Sequence, residues 1–146
     1  MHFATATRDD LVAVLELLEQ SRLPKAGVGE NIQNFVLVLE QDKIIGCAGL
    51  EIHENAGLLR SVAVASDHQK QGLGSRLTEG ILDLAEHYRL SSISLLTETA
   101  KDYFPRFGFV EVSRKDLPES LKNSAEFKGA CPDSAIAMTL SLQENV

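Results

Sequence analysis

The sequence predicts one mixed α/β domain: a central, twisted, mostly antiparallel sheet of about six to seven strands flanked by helices. Three observations predict it. β-rich runs separated by tight-turn residues fill residues 35–64. A long amphipathic run follows at residues 73–88. Another β-rich run comes directly after it, at residues 92–96, and calls for a right-handed crossover to a parallel position beside the strand before the helix. The length of 146 residues suits a single domain, residues 1–146, with a substantial core.

The elements follow in order. Residues 3–7 form a short first strand. Thr7 precedes Arg8-Asp9-Asp10, an acidic first turn suited to a helix start. Leu11, Val14, Leu15 and Leu18 recur at i, i+3, i+4 and i+7, so residues 8–20 read as an amphipathic helix. Leu23-Pro24 ends it. Residues 25–31 carry Gly27 and Gly29 and read as a mobile loop, with a short helix reaching Gln33. Residues 35–39 and 43–52 are strands joined by a hairpin turn at Gln41-Asp42. Asn55-Ala56-Gly57 marks the next turn, and residues 58–64 the next strand. On the long helix Leu73, Leu77, Ile81, Leu84 and Tyr88 share the apolar face. After the strand at 92–96 come a short helix at 101–107 and a strand at 109–112. A helix at 118–127, opened by Pro118, and a last strand at 134–142 complete the order.

Composition narrows the function. Hydrophobic residues make up 44% and charged residues 24%, an ordinary globular balance. The net charge of −7 argues against non-specific nucleic-acid binding. It does not oppose a polyanionic ligand held locally by backbone N–H groups with Lys70 and Arg76. No apolar run approaches the roughly 20 residues of a membrane helix, and no signal-peptide pattern opens the chain, so a cytoplasmic protein without a membrane partner is expected. The two cysteines lack companions at zinc spacing, and no metal is expected. Cys47 sits in an apolar run and reads as a buried thiol, with no structural disulfide expected. Cys131 lies in the polar turn Ala130-Cys131-Pro132-Asp133-Ser134 and reads as exposed.

The most informative string is Gln69-Lys70-Gln71-Gly72-Leu73-Gly74-Ser75-Arg76-Leu77. It joins an apolar, β-branched strand to a helix. A glycine turn there presents N–H groups, and the positive end of the helix dipole, to an anion. No G-x-x-x-x-G-K-[ST] string exists, and Leu77 stands where a dinucleotide fingerprint needs a third small residue. A pyrophosphate cradle remains, beside the plain alternative of a glycine turn that merely starts a helix.

Two further segments decide between them. Arg60-Ser61-Val62-Ala63-Val64 precedes the cradle. Thr97-Glu98-Thr99-Ala100-Lys101-Asp102-Tyr103-Phe104-Pro105-Arg106-Phe107-Gly108-Phe109 follows it, one helix and one strand later. Together they resemble the Q/R-x-x-G-x-G/A and N-x-x-A-x-x-F-Y-x-x-x-G-F signatures of the GNAT acetyltransferases, over nearly the whole chain. The resemblance implies the GNAT fold, splayed between the strands at 58–64 and 92–96, with acetyl-coenzyme A in the gap and direct transfer in a ternary complex. By position, Val62, Ala63 and Val64 would pair with the pantetheine arm. Gln69, Lys70, Gln71, Gly72, Leu73, Gly74, Ser75 and Arg76 would hold the pyrophosphate. The N–H of Val62 would polarise the thioester carbonyl. Two positions depart from the pattern. Thr97 replaces an Asn, and Phe104 replaces the Tyr that protonates the leaving thiolate, so that Phe104 packs against the cofactor. Tyr103, one residue earlier and about 100° round a helix, is the nearby candidate hydroxyl; otherwise water serves or no acid is needed.

The Thr-x-Thr-Ala variant is similar to the acetyltransferase domains that act on amino-acid α-amines, such as N-acetylglutamate synthase. The tail, with Arg114-Lys115-Asp116-Leu117-Pro118, Ala125-Glu126-Phe127 and Cys131-Pro132-Asp133-Ser134-Ala135, resembles the bacterial arsenic-resistance N-acetyltransferases, linked to arsenical amino acids such as arsinothricin. These likenesses imply a small amine acceptor. Peptide amine acetylation and a catalytically silent acyl-coenzyme A sensor are the competing functions.

Candidate bases are Glu51, His53 and Glu98, each of which also reads as a solvated polar residue at a strand end. Arg60 stands alone in an apolar strand and needs a carboxylate, either from the acceptor or from Glu51. Ser61, on the alternate face, Thr97 and Cys131 complete the candidate acceptor contacts. Lys70 and Arg106 read as solvent-exposed, and His2, His68 and His87 as surface histidines. A homodimer is allowed, with the last strand as its edge.

Overall fold

The hairpin signals at residues 35–64 produce a continuous meander in the computed structural model, which describes residues 1–142. Strands β1 (His2–Thr5), β2 (Phe35–Glu40), β3 (Lys43–His53) and β4 (Ala56–Val64) each pair antiparallel with the next. Gln41 and Asp42 both take positive φ, 52° and 64°, as a two-residue turn matching strand twist requires. The next turn falls on Glu54, φ 58°, and Asn55 rather than on Ala56 and Gly57. Gly57 belongs to β4, opposite Ile52. Its role is close packing: a Cβ there would stand 2.9 Å from Leu90 and 3.0 Å from Leu50.

Helix α1 (Leu11–Gln20) follows a 3₁₀ turn, Arg8–Asp10, capped by the Thr7 N–H donating to Asp10 Oδ2 at 2.8 Å. It buries Val14, Leu17 and Leu18. The loop expected at residues 25–31, with its short helix reaching Gln33, contains the one-turn helix α2 (Val28–Asn31), entered through Gly27 at φ 84° and followed by a 3₁₀ turn, Ile32–Asn34. Helix α3 (Leu73–His87) buries Leu73, Leu77, Ile81 and Ala85. Tyr88, which the periodicity places on that face, lies beyond the helix end, 47% exposed. α3 packs with Val38, Ile45 and Leu50 in one core; α1 and α2 pack with Phe35, Leu37 and Cys47 in another. The alternation of β2 and β3 thus places helices on both faces of the sheet.

The crossover through α3 leads to β5 (Ser92–Thr97), parallel to β4 as expected. Strands β6 (Val110–Val112) and β7 (Ile136–Ser141) complete a sheet in the order β1-β2-β3-β4-β5-β7-β6. β7 pairs on both sides, so the last strand is not an edge and offers no surface for a strand-to-strand dimer; β1 and β6 are the edges.

Two expected helices are shorter. Between 101 and 107 only a 3₁₀ turn forms, Phe104–Phe107, because Pro105 lacks the N–H that an α-helix would use there. Between 118 and 127 a 3₁₀ turn, Glu119–Asn123, gives way to a wide turn, Glu126–Ala130. Local bonds compete with the helix: the Asn123 amide donates to Ser120 O, and Ser124 Oγ accepts from Glu126 N.

The cross-strand pair Phe35 and Gly49 carries a stability prediction. A Cβ on Gly49 would fall 2.3 Å from the Phe35 ring, which is fully buried. Gly49→Ala is expected to cost about 1–3 kcal/mol by overpacking, read as a lowered urea midpoint with unchanged m-value.

Candidate functional site

The β4–β5 ladder stops early. Ala56, Gly57 and Leu58 pair with Ser92, Ile93 and Ser94, and beyond these the two strands no longer pair with each other. The opening continues into a cavity of about 850 Å³. Residues 59–62 and Val64 form one wall, residues 95–97 the other. His68, Gln69, Lys70 and residues 72–75 line its mouth, facing Thr99, Ala100, residues 102–104 and Arg106.

A bulge shapes the first wall. Cys47 pairs with Ala63 and Gly49 with Arg60, so β4 carries one residue more than β3 over this stretch. Ser61 takes φ 62°, left-handed for a non-glycine residue. Its carbonyl accepts from the buried Cys47 thiol at 3.2 Å, and burial pushes that thiol up to about 12. The bulge resets the alternation. Ser61, expected on the face opposite Arg60, therefore lines the cavity together with Arg60 and Val62.

At the mouth, α3 begins at Gly72, φ 78°, with no side-chain cap. The N–H groups of residues 73–75 have no partner within the helix and carry the positive end of its dipole. A Cβ on Gly72 would meet nothing within 4 Å. The Gln69 amide donates to Val64 O at 3.1 Å, tying this turn to the end of β4. Across the mouth Tyr103 Oη bonds Ser75 Oγ at 2.8 Å, with the Arg106 guanidinium stacked on its ring at 4.2 Å. Phe104 is buried, edge-on to Tyr103 and Phe109, and has no proton to give. Thr97 Oγ1 accepts from Ala100 N at 3.0 Å.

Arg60 anchors a buried charge cluster. Its Nη1 donates to Glu51 Oε2 at 2.6 Å, Nη2 to Pro24 O at 3.2 Å and Nε to Ser61 Oγ at 3.1 Å. Glu126 Oε2 lies 3.4 Å from Nε. The internal pairing with Glu51 is thus present; the guanidinium is fully buried, with one N–H on each of Nη1 and Nη2 not engaged by these bonds. Glu51 also meets His53 Nε2 at 2.7 Å. Burial pushes the Glu126 carboxyl up to about 7; Arg60 draws it down, the Glu51 carboxylate pushes it up, and a hydrogen bond from Cys131 draws it down. Cys131 is half-buried against Glu126 rather than exposed, and burial with the neighbouring carboxylate holds its thiol at about 12.

Several expected site residues stand off the cavity. Glu98 is exposed, and Gln71 is exposed at the turn. Ala63, on β4, is buried in the core with Phe35 and Cys47. Arg76 stacks over Phe3 at 4.2 Å and lines a separate hollow of about 470 Å³ with Glu79 and Asp83. Glu51, His53 and Cys131 do not reach the wall either. Sequence reasoning missed Leu23 and His68, both on the wall, the latter paired with Glu40 at 2.9 Å. It also missed Glu126, whose position between Ala125 and Phe127 was the available sign of burial.

The family model described as an acetyltransferase (GNAT) domain matches residues 31–111, more than half of the chain. The amino-acid acetyltransferase of Escherichia coli K12 is 32% identical over 126 residues, 80% of this chain and 28% of that protein. That of Ralstonia nicotianae is 30% identical over 123 residues, 78% of this chain and 27% of that protein. The chain thus spans under a third of these curated relatives. N-acetylglutamate synthase from Neisseria gonorrhoeae, solved with coenzyme A and N-acetyl-glutamate, superposes with a TM-score of 0.82 at 22% identity, covering 98% of this chain and 35% of that one. A Mycobacterium tuberculosis protein solved with CoA gives 0.79 at 21% identity, covering 98% and 100%. At these identities the structural likeness is one of fold.

Proposed function

The chain belongs to the GNAT family of acetyltransferases, and from that premise we propose that it transfers the acetyl group of acetyl-coenzyme A to the amine of a small, carboxylated, amino-acid-like acceptor. One observation carries the reading: the stretch where β4 and β5 no longer pair with each other and the uncapped start of α3 open into a single cavity. The unpaired edges suit an extended pantetheine arm. The N–H groups of residues 73–75, with Lys70, suit a pyrophosphate. The open space at Gly72 fits such a group at close approach.

Val62 follows Ser61 in the bulge, where the ladder is interrupted. Its N–H is our candidate to hold the thioester oxygen as negative charge develops. The amine nitrogen attacks the acetyl carbonyl; the N–C bond forms and the C–S bond breaks. Since Glu51, His53 and Glu98 stand off the wall, the amine's proton leaves through water. Tyr103 Oη is bound to Ser75 at the cradle, where the pyrophosphate would lie, so the departing thiolate takes its proton from water. Arg60, a residue of the cavity wall, is our candidate partner for the acceptor carboxylate. Leu23 and the Pro24 carbonyl bound to Arg60 bring the α1–α2 connection against this end.

Thiol release with an acceptor panel tests the reading. Glutamate, arginine, phosphinothricin and arsinothricin are set against amines without a carboxylate and a peptide amine. Saturable release with one or more carboxylated amino acids is expected. Preference for the peptide would contradict the acceptor class. Coenzyme A binding without turnover on any amine would favour a silent sensor.

A further inference from the structure

The cluster at Arg60 is uneven in charge. Glu51 reaches Arg60 at 2.6 Å and neutralises it; Glu126 is a second buried carboxylate, 3.4 Å away. An acceptor carboxylate arriving at Arg60 would be a third negative group on one cation. Two excess charges in a site shut off from water are strongly unfavourable. Of the two resident carboxylates, Glu126 has the longer contact with Arg60, while Glu51 is also held by His53.

We propose that Glu126 is the exchangeable counter-ion of Arg60: when a carboxylated acceptor binds, Glu126 takes up a proton from solvent and the acceptor replaces it as the negative partner. The exchange rests on the acceptor class proposed above. It conserves charge in the cluster, because one carboxylate enters and one is neutralised.

The groups facing Glu126 support this direction. Arg60 on β4 is its only cation in direct contact among the described residues, and Glu51 on β3 opposes its ionisation. On its own segment the Cys131 thiol, itself uncharged at neutral pH, lies against it; Arg114 reaches that thiol's field but bonds the carbonyls of Pro132 and Ala135. His53 acts only through Glu51. A carboxyl already raised to about 7 needs little further push to stay protonated.

Calorimetry on the coenzyme A complex reads the exchange. N-acetyl-L-glutamate and N-acetylphosphinothricin serve as probes, since an amide carries no titrating amine. Binding at pH 8 in buffers of different ionisation heat should show uptake of nearly one proton per probe. At pH 6, where Glu126 is already largely protonated, uptake should shrink to a small fraction. Glu126→Gln should bind the probes with no uptake at either pH. Binding by the wild type without uptake at pH 8, or unchanged uptake in Glu126→Gln, would overturn the exchange alone. Failure of both acids to bind would overturn it together with the acceptor class.

Discussion

Replacing Gly72 with Glu is expected to abolish coenzyme A binding while leaving the chain folded. The left-handed φ of 78° costs any side chain on the order of 1–2 kcal/mol. A Cβ meets nothing within 4 Å, so no clash adds to that cost. An acidic side chain at a helix N-terminus is otherwise favourable, worth roughly 0.3–1 kcal/mol. The damage falls on the ligand. The carboxylate satisfies the N–H groups that a pyrophosphate would use and repels it across a few ångströms. Repulsion on the order of 3–4 kcal/mol at an intermediate dielectric corresponds to a loss of at least about a hundredfold in affinity. Gly72→Ala carries the strain without the charge and should lose far less. Calorimetry with coenzyme A separates the three proteins. Retained affinity in Gly72→Glu would refute the cradle.

Arg60→Ala is the second large effect, and it falls on stability first. The substitution leaves Glu51 and Glu126 buried without their cation and frees the Pro24 carbonyl. Breaking one side of a buried ion pair costs about 3–5 kcal/mol. The loss should depend on pH. Glu126 titrates in the fold near 7, above its ordinary value of 4.5, so its ionisation opposes folding as pH rises through that interval. Without Arg60 that opposition grows. The gap in Tm between wild type and Arg60→Ala should therefore be wider at pH 8 than at pH 6, and Glu126→Gln in the same background should narrow it. A gap independent of pH would mean that Glu126 does not sense Arg60. Arg60→Lys, which keeps the charge, is the kinetic probe: its KM should rise for the acceptor more than for acetyl-coenzyme A.

What the sequence made legible were elements whose residues act locally. The Gln41-Asp42 turn, the α3 face and the parallel return of β5 are each set by periodicity or turn chemistry within a few residues. The splay of β4 from β5 followed from the resemblance, and the early end of their ladder accords with it. What was hidden depends on register or distance. One extra residue at Ser61 turns two neighbours, expected on opposite faces, toward one cavity. Nothing in the strand's composition announces it. The pairing of Arg60 with Glu126 joins residues 66 apart in sequence through a segment with little regular structure. Arg76 and Glu98 sat inside motif strings, yet helix geometry turns Arg76 toward Phe3 and the end of β5 leaves Glu98 in solvent. A string fixes neighbours along the chain, not the side toward which each side chain points.

Hydrogen exchange with and without acetyl-coenzyme A shows whether the gap between β4 and β5 is the donor site. Protection should concentrate in residues 59–64, 69–76 and 95–104, and should vanish in Gly72→Glu. Protection confined to the hollow around Phe3, Glu79 and Asp83, or spread evenly over the sheet, would contradict it.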